Sequence, residues 1–300
     1  GDPTATAGHA GLGDLARATA EQLKSQGMTS VSLRLDDTLF TGAQWNDGWE
    51  AGNEQYVAKI QPIMVDISST QNQGYSADPA MEAAQAFARH LSDAGITVDG
   101  DASRAAAPSG ARELASVSSA PLSDILALSL KTSDNTMTEV EGRLVAVQAK
   151  ETADFAGASK AVAAQLRKDG FDTSGLTLLD SSGLAKGNKV PAKLLTQILA
   201  RSAGDKGGSA GRTLIADLPV GALDGTLGNR LHDTAAAGTV RAKTGSLEQT
   251  SSLAGVVTTA DGRLLAFSIL TNDFPANGST AAAAAIDNHF VAPLAACGCS

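Results

Sequence analysis

The sequence predicts an α+β fold in which an antiparallel sheet is flanked by helices. Three strand-like runs follow one another near the end of the chain, and helical patterns lie before and after them. Strands and helices that occupy separate stretches of a chain are typical of this class. The 300 residues, 43% hydrophobic and 18% charged, are enough for one large domain or two smaller ones.

The first hundred residues alternate between short regular and irregular stretches. Apolar residues at helical spacing predict two helices, and β-branched runs predict two short strands. The helices cover 10–26 and about 80–95, and the strands cover 31–35 and 96–100. Residues 68–79 are polar and without periodicity, which predicts a linker.

The middle of the chain is predicted to be mainly helical. The first helix runs through Ile125 and Leu130 and is capped by Ser119 or Ser123. The others cover about 137–148, 154–168 and 191–203, and residues 176–184 are predicted to form a strand and a turn. Pro191 is assigned to the first position of its helix, where a missing N–H costs nothing.

The end of the chain predicts an antiparallel meander packed against a helix. The three strand-like runs are 238–248, 251–259 and 263–272, followed by an alanine-rich helix over about 280–292. Asp261-Gly262 is a two-residue hairpin signal between the last two runs.

Composition excludes several functional classes. A net charge of −9 argues against nucleic acid or an anionic membrane surface as partner, because both need a basic face. No apolar run approaches the ~18 residues of a membrane span. Cys297 and Cys299 form a lone C-x-C, interpreted as two thiols or one disulfide. We expect neither a metal nor a cofactor.

The Lys-Thr pair at 243–244 has two interpretations. One is the end of a phosphate-binding P-loop, and the other is the start of a Lys-Thr-Gly motif. The P-loop is excluded, because Ala237 and Ala242 occupy the positions where that motif needs glycine, and because the predicted context is a strand rather than a helix. A Ser-His-Asp hydrolase and a helix-borne zinc protease are excluded as well, because G-x-S-x-G and H-E-x-x-H are both missing.

Two tripeptides remain that support one chemistry. Ser133-Asp134-Asn135 lies in a predicted break between helices, and Lys243-Thr244-Gly245 lies on a predicted edge strand about 110 residues later. A buried lysine beside a serine can carry protons or hold a charge, and an asparagine can hold both sides of an amide. An edge strand can pair with an extended peptide, and Gly245 leaves space for it. Alternatively, the two are a helix cap and a strand with an exposed lysine.

With these motifs the chain resembles the low-molecular-mass class C penicillin-binding proteins, which are D-alanyl-D-alanine carboxypeptidases/endopeptidases, and most of all their actinobacterial branch. Further similar segments are "GDPT", "DDTLF", "LDSSGLAKGN", "LPVGALDGTLGNRL" and "AKTGSLEQTSSLAGVV". The resemblance implies a penicillin-binding/β-lactamase-type transpeptidase fold. It also implies an accessory inserted region, 29–107, between parts 1–28 and 108–300 of the penicillin-binding domain.

The resemblance also implies roles for individual residues. Ser133 would relay protons, Asn135 would hold the substrate amide, and Lys243 would stabilise charge. Thr244 would bind the terminal carboxylate, and the N–H of Ser246 would form half of an oxyanion hole. A pocket for the free end of a meso-diaminopimelate side chain would be lined by Leu184, Lys186, Leu247, Glu248 and Tyr56. The alternative for Lys186 and Glu248 is two solvated surface charges.

One family motif is absent from the sequence. No lysine has a serine three residues before it, so there is no S-x-x-K, the motif that carries the nucleophile in the family. In the family it precedes the segment at which this chain begins. We therefore expect an N-terminal segment, cleaved or separate, to complete the sheet and the site as a partner of these residues.

The resemblance thus predicts an extracytoplasmic serine carboxypeptidase/endopeptidase. It would trim peptidoglycan stem peptides ending in D-Ala-D-Ala through an acyl-enzyme, and β-lactams would inhibit it. The first alternative is a non-catalytic relative that binds peptidoglycan or a protein partner, and the second is a β-lactamase.

Overall fold

The computed structural model describes residues 1–65 and 74–298. The helices are α1 (Leu12–Ser25), α2 (Pro79–Asp93), α3 (Leu122–Thr132), α4 (Asn135–Ala149), α5 (Phe155–Lys168), α6 (Ala192–Ala203), α7 (Gly208–Asp217), α8 (Ser279–Ile286) and α9 (Ala292–Ala296). The strands are β1 (Ser30–Val31), β2 (Arg34–Leu35), β3 (Thr97–Val98), β4 (Ser103–Arg104), β5 (Val240–Leu247), β6 (Thr250–Thr258) and β7 (Leu264–Asn272).

The chain forms two compact units, each built from separate stretches. Unit 1 contains Gly1–Ile125, Asn135–Val162 and Leu179–Lys186, and unit 2 contains Leu126–Asp134, Ala163–Leu178 and Gly187–Ser300. The described residues of the predicted inserted region lie in unit 1, and its boundaries at 29 and 107 stay a prediction. Within the described ranges, no helix is both long and apolar enough to cross a membrane.

The first part of unit 1 is a helical pair with two short parallel strand pairs. The helices α1 and α2 share a core of Ala16, Ala20, Leu23, Leu91 and Ile96. The prediction of one strand over 31–35 is wrong, because the chain changes partner within it: β1 pairs with β3, and β2 pairs with β4. Asp78 caps α2 by accepting the N–H of Met81.

A second core in unit 1 gathers aromatic side chains around a buried arginine. Trp49, Val57, Ile60, Phe155 and Leu184 are buried together. Arg143, which is 1% exposed, donates to the carbonyl oxygens of Thr41, Ala43 and Ala153 at 2.7–2.8 Å. The side chain of Arg143 thus supplies hydrogen bonds to the backbone carbonyl groups of both loops, at residues 41–43 and at residue 153.

Unit 2 is built on the predicted antiparallel meander. The sheet order is β5-β6-β7, and Val240, Ala242, Leu253 and Val257 project into a core that also contains residues from the C-terminal helices. The hairpin between β6 and β7 has five residues instead of the predicted two. The hydroxyl of Thr259 bonds the backbone of Arg263, and Gly262 takes a positive φ of 84°.

Several helix boundaries differ from prediction. The C-terminal helix contains a π-helical turn, Asp287–Val291, because Pro293 has no N–H to donate into the preceding turn. Pro191 is the N-cap of α6 instead of its first residue. The α7 helix was not predicted.

The predicted strand within 176–184 is wrong. Only Thr177 makes a bridge, with Lys189, and Asp180 turns the chain by accepting the N–H groups of Gly183 and Ala185.

Candidate active site

Ser133 occupies a strained position between two helices. The α3 helix ends at Thr132 and α4 begins at Asn135, so the break is one residue shorter than predicted. Ser133 has a φ of 56°, in the left-handed region that side chains other than glycine rarely adopt. Such a conformation costs on the order of 1–3 kcal/mol and clusters at functional sites. The chain bends here and presents the serine side chain.

Lys243 lies on β5 and contacts this serine. Its Nζ donates to Ser133 Oγ at 2.5 Å and to the carbonyl oxygen of Thr244 at 3.0 Å. Successive side chains of β5 point to opposite faces of the sheet, so Ala242 packs in the core while Lys243 projects from the other face. Burial lowers the pKa of Lys243 to about 8, because a low-dielectric surrounding disfavours the ammonium. Lys243 can therefore gain or lose a proton close to neutral pH.

The strand that carries Lys243 has an open edge. On one side β5 pairs with β6 in register, with Lys243 opposite Ala254. On the other side Pro219 accepts the N–H of Ala242, and Val220 bridges Arg241. Beyond these contacts, no described strand pairs with residues 243–247 on that side. The predicted edge context is confirmed, and it suits an extended peptide.

The rest of β5 places the remaining motif residues along that edge. Thr244 Oγ1 lies 2.9 Å from Thr226 Oγ1. A Cβ at Gly245 would collide with Ser252 Oγ, so a side chain there would have to displace that hydroxyl. Ser246, Leu247 and Glu248 are exposed at the end of the strand. The structure thus brings Ser133, Lys243 and Thr244 together in unit 2.

Three residues near this site were missed from the sequence. Lys131 Nζ binds both carboxylate oxygens of Asp224, at 2.9 and 2.7 Å, and the carbonyl oxygen of Leu218 at 2.7 Å. Thr226, two residues after Asp224, reaches Thr244. Asp224 and Thr226 lie in the segment 218–231, which is similar to a family segment but does not single them out, and nothing in the sequence singles out Lys131.

The other predicted site residues lie in unit 1. Asn135 Nδ2 donates to the carbonyl oxygen of Tyr56 at 3.0 Å, and the Tyr56 side chain is exposed. Lys186 Nζ lies 2.5 Å from Glu50 Oε1, and both side chains are more than half exposed. Leu184 is buried in the core with Trp49 and is 7% exposed. Glu50 was not predicted, because no motif in the sequence singles it out.

A buried carboxylate pair holds the segment that carries Lys186. Glu139 Oε1, on α4, accepts the N–H groups of Ser181 and Ser182 at 3.0 and 2.7 Å. Asp180 accepts Trp49 Nε1 at 2.8 Å and the N–H of Ala185 at 2.7 Å. Desolvation, and then the charge of Asp180, raise the pKa of Glu139 to about 7.

The comparisons with known proteins decide the family. The family described as "D-Ala-D-Ala carboxypeptidase 3 (S13)" matches residues 1–76 and 69–292. The chain belongs to this family. The prediction of a family of serine D-Ala-D-Ala carboxypeptidases is confirmed. The roles of individual residues within it stay predictions.

Two curated relatives that the chain resembles are actinobacterial. A carboxypeptidase of Mycobacterium tuberculosis is 37% identical over 303 residues, which cover 94% of this chain and 63% of the relative. The carboxypeptidase DacB of Mycolicibacterium smegmatis is 36% identical over 290 residues, which cover 93% and 61%. The chain therefore spans about three fifths of the length of these relatives.

Solved structures confirm the fold. The crystal structure of penicillin binding protein 4 (dacB) from Haemophilus influenzae matches with a TM-score of 0.77 and 23% identity, over 99% of this chain and 81% of that chain. The same protein complexed with a β-lactam matches with a TM-score of 0.67 and 24% identity, over 92% and 74%. The penicillin-binding type of α+β fold predicted from the sequence is confirmed.

Proposed function

We propose that the protein containing these residues is a serine D-Ala-D-Ala carboxypeptidase/endopeptidase that trims peptidoglycan stem peptides outside the cytoplasm. The observation that carries the proposal is the 2.5 Å contact between Lys243 Nζ and Ser133 Oγ, with the pKa of Lys243 lowered to about 8. Family membership and the open edge of β5 support it.

The reaction has two steps. A serine oxygen attacks the carbonyl carbon of the penultimate D-Ala, the C–N bond breaks, and D-Ala leaves after its nitrogen gains a proton. Water then attacks the ester, which frees the shortened peptide and restores the serine. Ser133, bonded to Lys243, is suited to deliver that proton, and the open edge of β5 would align the peptide.

The nucleophile of this reaction is not supplied by an S-x-x-K motif within the 300 residues. We propose that it belongs to a segment outside them. The β-lactam complex of the Haemophilus influenzae protein supports inhibition by β-lactams, whose strained amide would be attacked in the same way.

Lys186 and Glu50 would bind the side chain of the substrate. Together they present a cation and an anion 2.5 Å apart on the surface of unit 1. The free end of meso-diaminopimelate carries an ammonium and a carboxylate, which match this pair in charge. Tyr56, which is exposed in unit 1, stays a predicted member of this pocket, and the roles of Leu247 and Glu248, which are exposed in unit 2, stay predictions.

The second candidate function is peptidoglycan binding without catalysis. The absence of S-x-x-K from the 300 residues is the observation that favours it. A binder would keep the edge strand and the carboxylate-binding threonine but would release no product.

The test is release of D-Ala from a pentapeptide that ends in D-Ala-D-Ala, measured with the full-length protein. A peptide ending in D-Ala-L-Ala is the stereochemical control. We expect release from the first peptide only, and a loss of roughly 10²-fold or more in kcat for Ser133→Ala, because proton transfer is removed. Binding of the peptide with no release from the wild type would favour the non-catalytic candidate.

A further inference from the structure

Unit 2 contains a pair of threonine hydroxyls, one of which belongs to the residue that follows Lys243 on β5. Thr226 Oγ1 and Thr244 Oγ1 are 2.9 Å apart, and both residues are partly exposed. Thr226 belongs to a short 3-10 turn, Gly225–Leu227, whose last residue is fully buried in the core. Leu227 thus holds the turn against the core, while Thr226 remains partly exposed.

An ion pair fixes the start of this turn. Asp224 takes two hydrogen bonds from Lys131 Nζ, at 2.9 and 2.7 Å, and accepts the N–H of Val220 at 2.7 Å. Lys131 lies in the last turn of α3, two residues before Ser133. Lys131 therefore links two elements: α3, which ends just before Ser133, and the turn that contains Thr226.

Gly225 allows the turn to approach α3 closely. Its φ is 56°, and a Cβ there would lie 2.8 Å from the carbonyl oxygen of Lys131. Any other residue would be strained and would displace that carbonyl. The position of Thr226 is thus set by the Lys131–Asp224 pair, by Gly225 and by Leu227.

Two hydroxyls at this separation suit a carboxylate. Each can donate one hydrogen bond to one of its oxygens, and hydrogen bonds to a charged acceptor are among the stronger ones. Without a ligand, Thr244 donates to Thr226, so the pair is held in place. Asp224, two residues before Thr226, is paired with Lys131, so its negative charge is compensated.

We propose that Thr226 binds the C-terminal carboxylate of the substrate together with Thr244. This rests on the proposed function and deepens it, because it assigns a second residue to recognition of the free chain end. An enzyme with this pair would prefer peptides that end in a carboxylate over peptides that end in an amide.

The experiment compares two peptides in the full-length protein, one ending in D-Ala-D-Ala and one ending in its carboxamide. The measured quantity is the ratio of kcat/KM for the carboxylate over that for the carboxamide. For Thr226→Val we expect this ratio to fall by about tenfold or more, mainly through KM, because one hydrogen bond to a charged group is lost. Thr226→Ser keeps the hydroxyl and should restore the ratio to within about threefold.

The matched control is Thr213→Val, an exposed threonine on α7, which should leave the ratio unchanged. If Thr226→Val lowers the rates for both peptides equally, or if Thr226→Ser fails to restore the ratio, the proposal is wrong while the proposed function stands. If the wild type cleaves neither peptide, the proposed function is wrong, and this proposal, which rests on it, is wrong as well.

Discussion

At the scale of residues, the proposed chemistry depends on Ser133 and Lys243, whose Oγ and Nζ atoms lie 2.5 Å apart. Both were predicted from tripeptides about 110 residues apart, because each tripeptide combines residue types that the chemistry requires. Their contact and the lowered pKa of Lys243 were not predictable, since both depend on burial that only the folded chain creates. Thr226 was missed because it lies in a turn whose sequence contains no chemical signature.

The lowered pKa of Lys243 predicts a pH-dependent stability. Burial lowers this pKa from its usual value of 10.5 to about 8, so the unfolded chain binds more protons than the folded chain between these values. The free energy of unfolding should therefore rise with pH across this window. The destabilisation by the buried ammonium is fully present below about pH 8 and is gone above about pH 10.5.

Lys243→Met isolates this contribution. We expect the wild type to gain roughly 1–3 kcal/mol relative to this variant between about pH 7 and about pH 10, in urea unfolding curves. Lys193→Met, on α6, controls for the loss of one charge. A wild type that gains nothing relative to Lys243→Met over this interval would show that Lys243 titrates normally.

At the scale of elements, α4 and the segment 180–186 are joined by a buried carboxylate. Glu139 accepts two backbone N–H groups from this segment, and the side chain is 1% exposed. The sequence predicted the helix correctly from about 137 to 148, and it predicted a strand and then a turn over 176–184, of which the strand is wrong. Periodicity could not reveal that the polar groups of the segment bond to glutamate and aspartate side chains.

Glu139→Gln tests the cost of this buried charge. The folded pKa of about 7 lies above the usual 4.5, so stability from this group is fully present below about pH 4.5 and is lost as pH rises through 7. We expect the wild type to lose on the order of 2–3 kcal/mol relative to the variant between about pH 4.5 and about pH 8. Unfolding curves of Glu21→Gln, on the exposed face of α1, are the control. Parallel pH profiles for wild type and Glu139→Gln would contradict the raised pKa.

Gly142 lies where α4 and the segment 180–186 approach each other closely. A Cβ at this position would collide with Ser181 Oγ. Glycine to alanine inside a helix normally stabilises by about 1 kcal/mol. Here we expect Gly142→Ala to destabilise by roughly 1–2 kcal/mol, because the overpacking cost exceeds the helix propensity gain.

A double-mutant cycle with Ser181→Gly separates the two effects of Gly142→Ala. In the Ser181→Gly background the alanine should become neutral or stabilising, since the colliding side chain is gone. The midpoint of urea unfolding measures all four proteins. An equal cost of Gly142→Ala in both backgrounds would show that the collision does not set the cost.

At the scale of the whole molecule, the class of fold could be predicted and the division into units could not. Alternation in β6 and β7 predicts the meander because one face of each strand packs into the core. The two compact units instead take discontinuous stretches of chain, such as Asn135–Val162 in unit 1 and Ala163–Leu178 in unit 2. No linker composition marks that boundary, because it falls within the single helix α5.

We propose that these 300 residues supply the lysine, serine and edge strand of an acyl-transfer site whose nucleophile lies outside them. The most direct test is mass spectrometry after incubation with benzylpenicillin, with peptide mapping of any adduct. We expect one adduct on the full-length protein, on a serine outside residues 1–300, and none on residues 1–300 alone. An adduct mapped to any residue within 1–300, Ser133 included, or the absence of an adduct on the full-length protein, would contradict the claim.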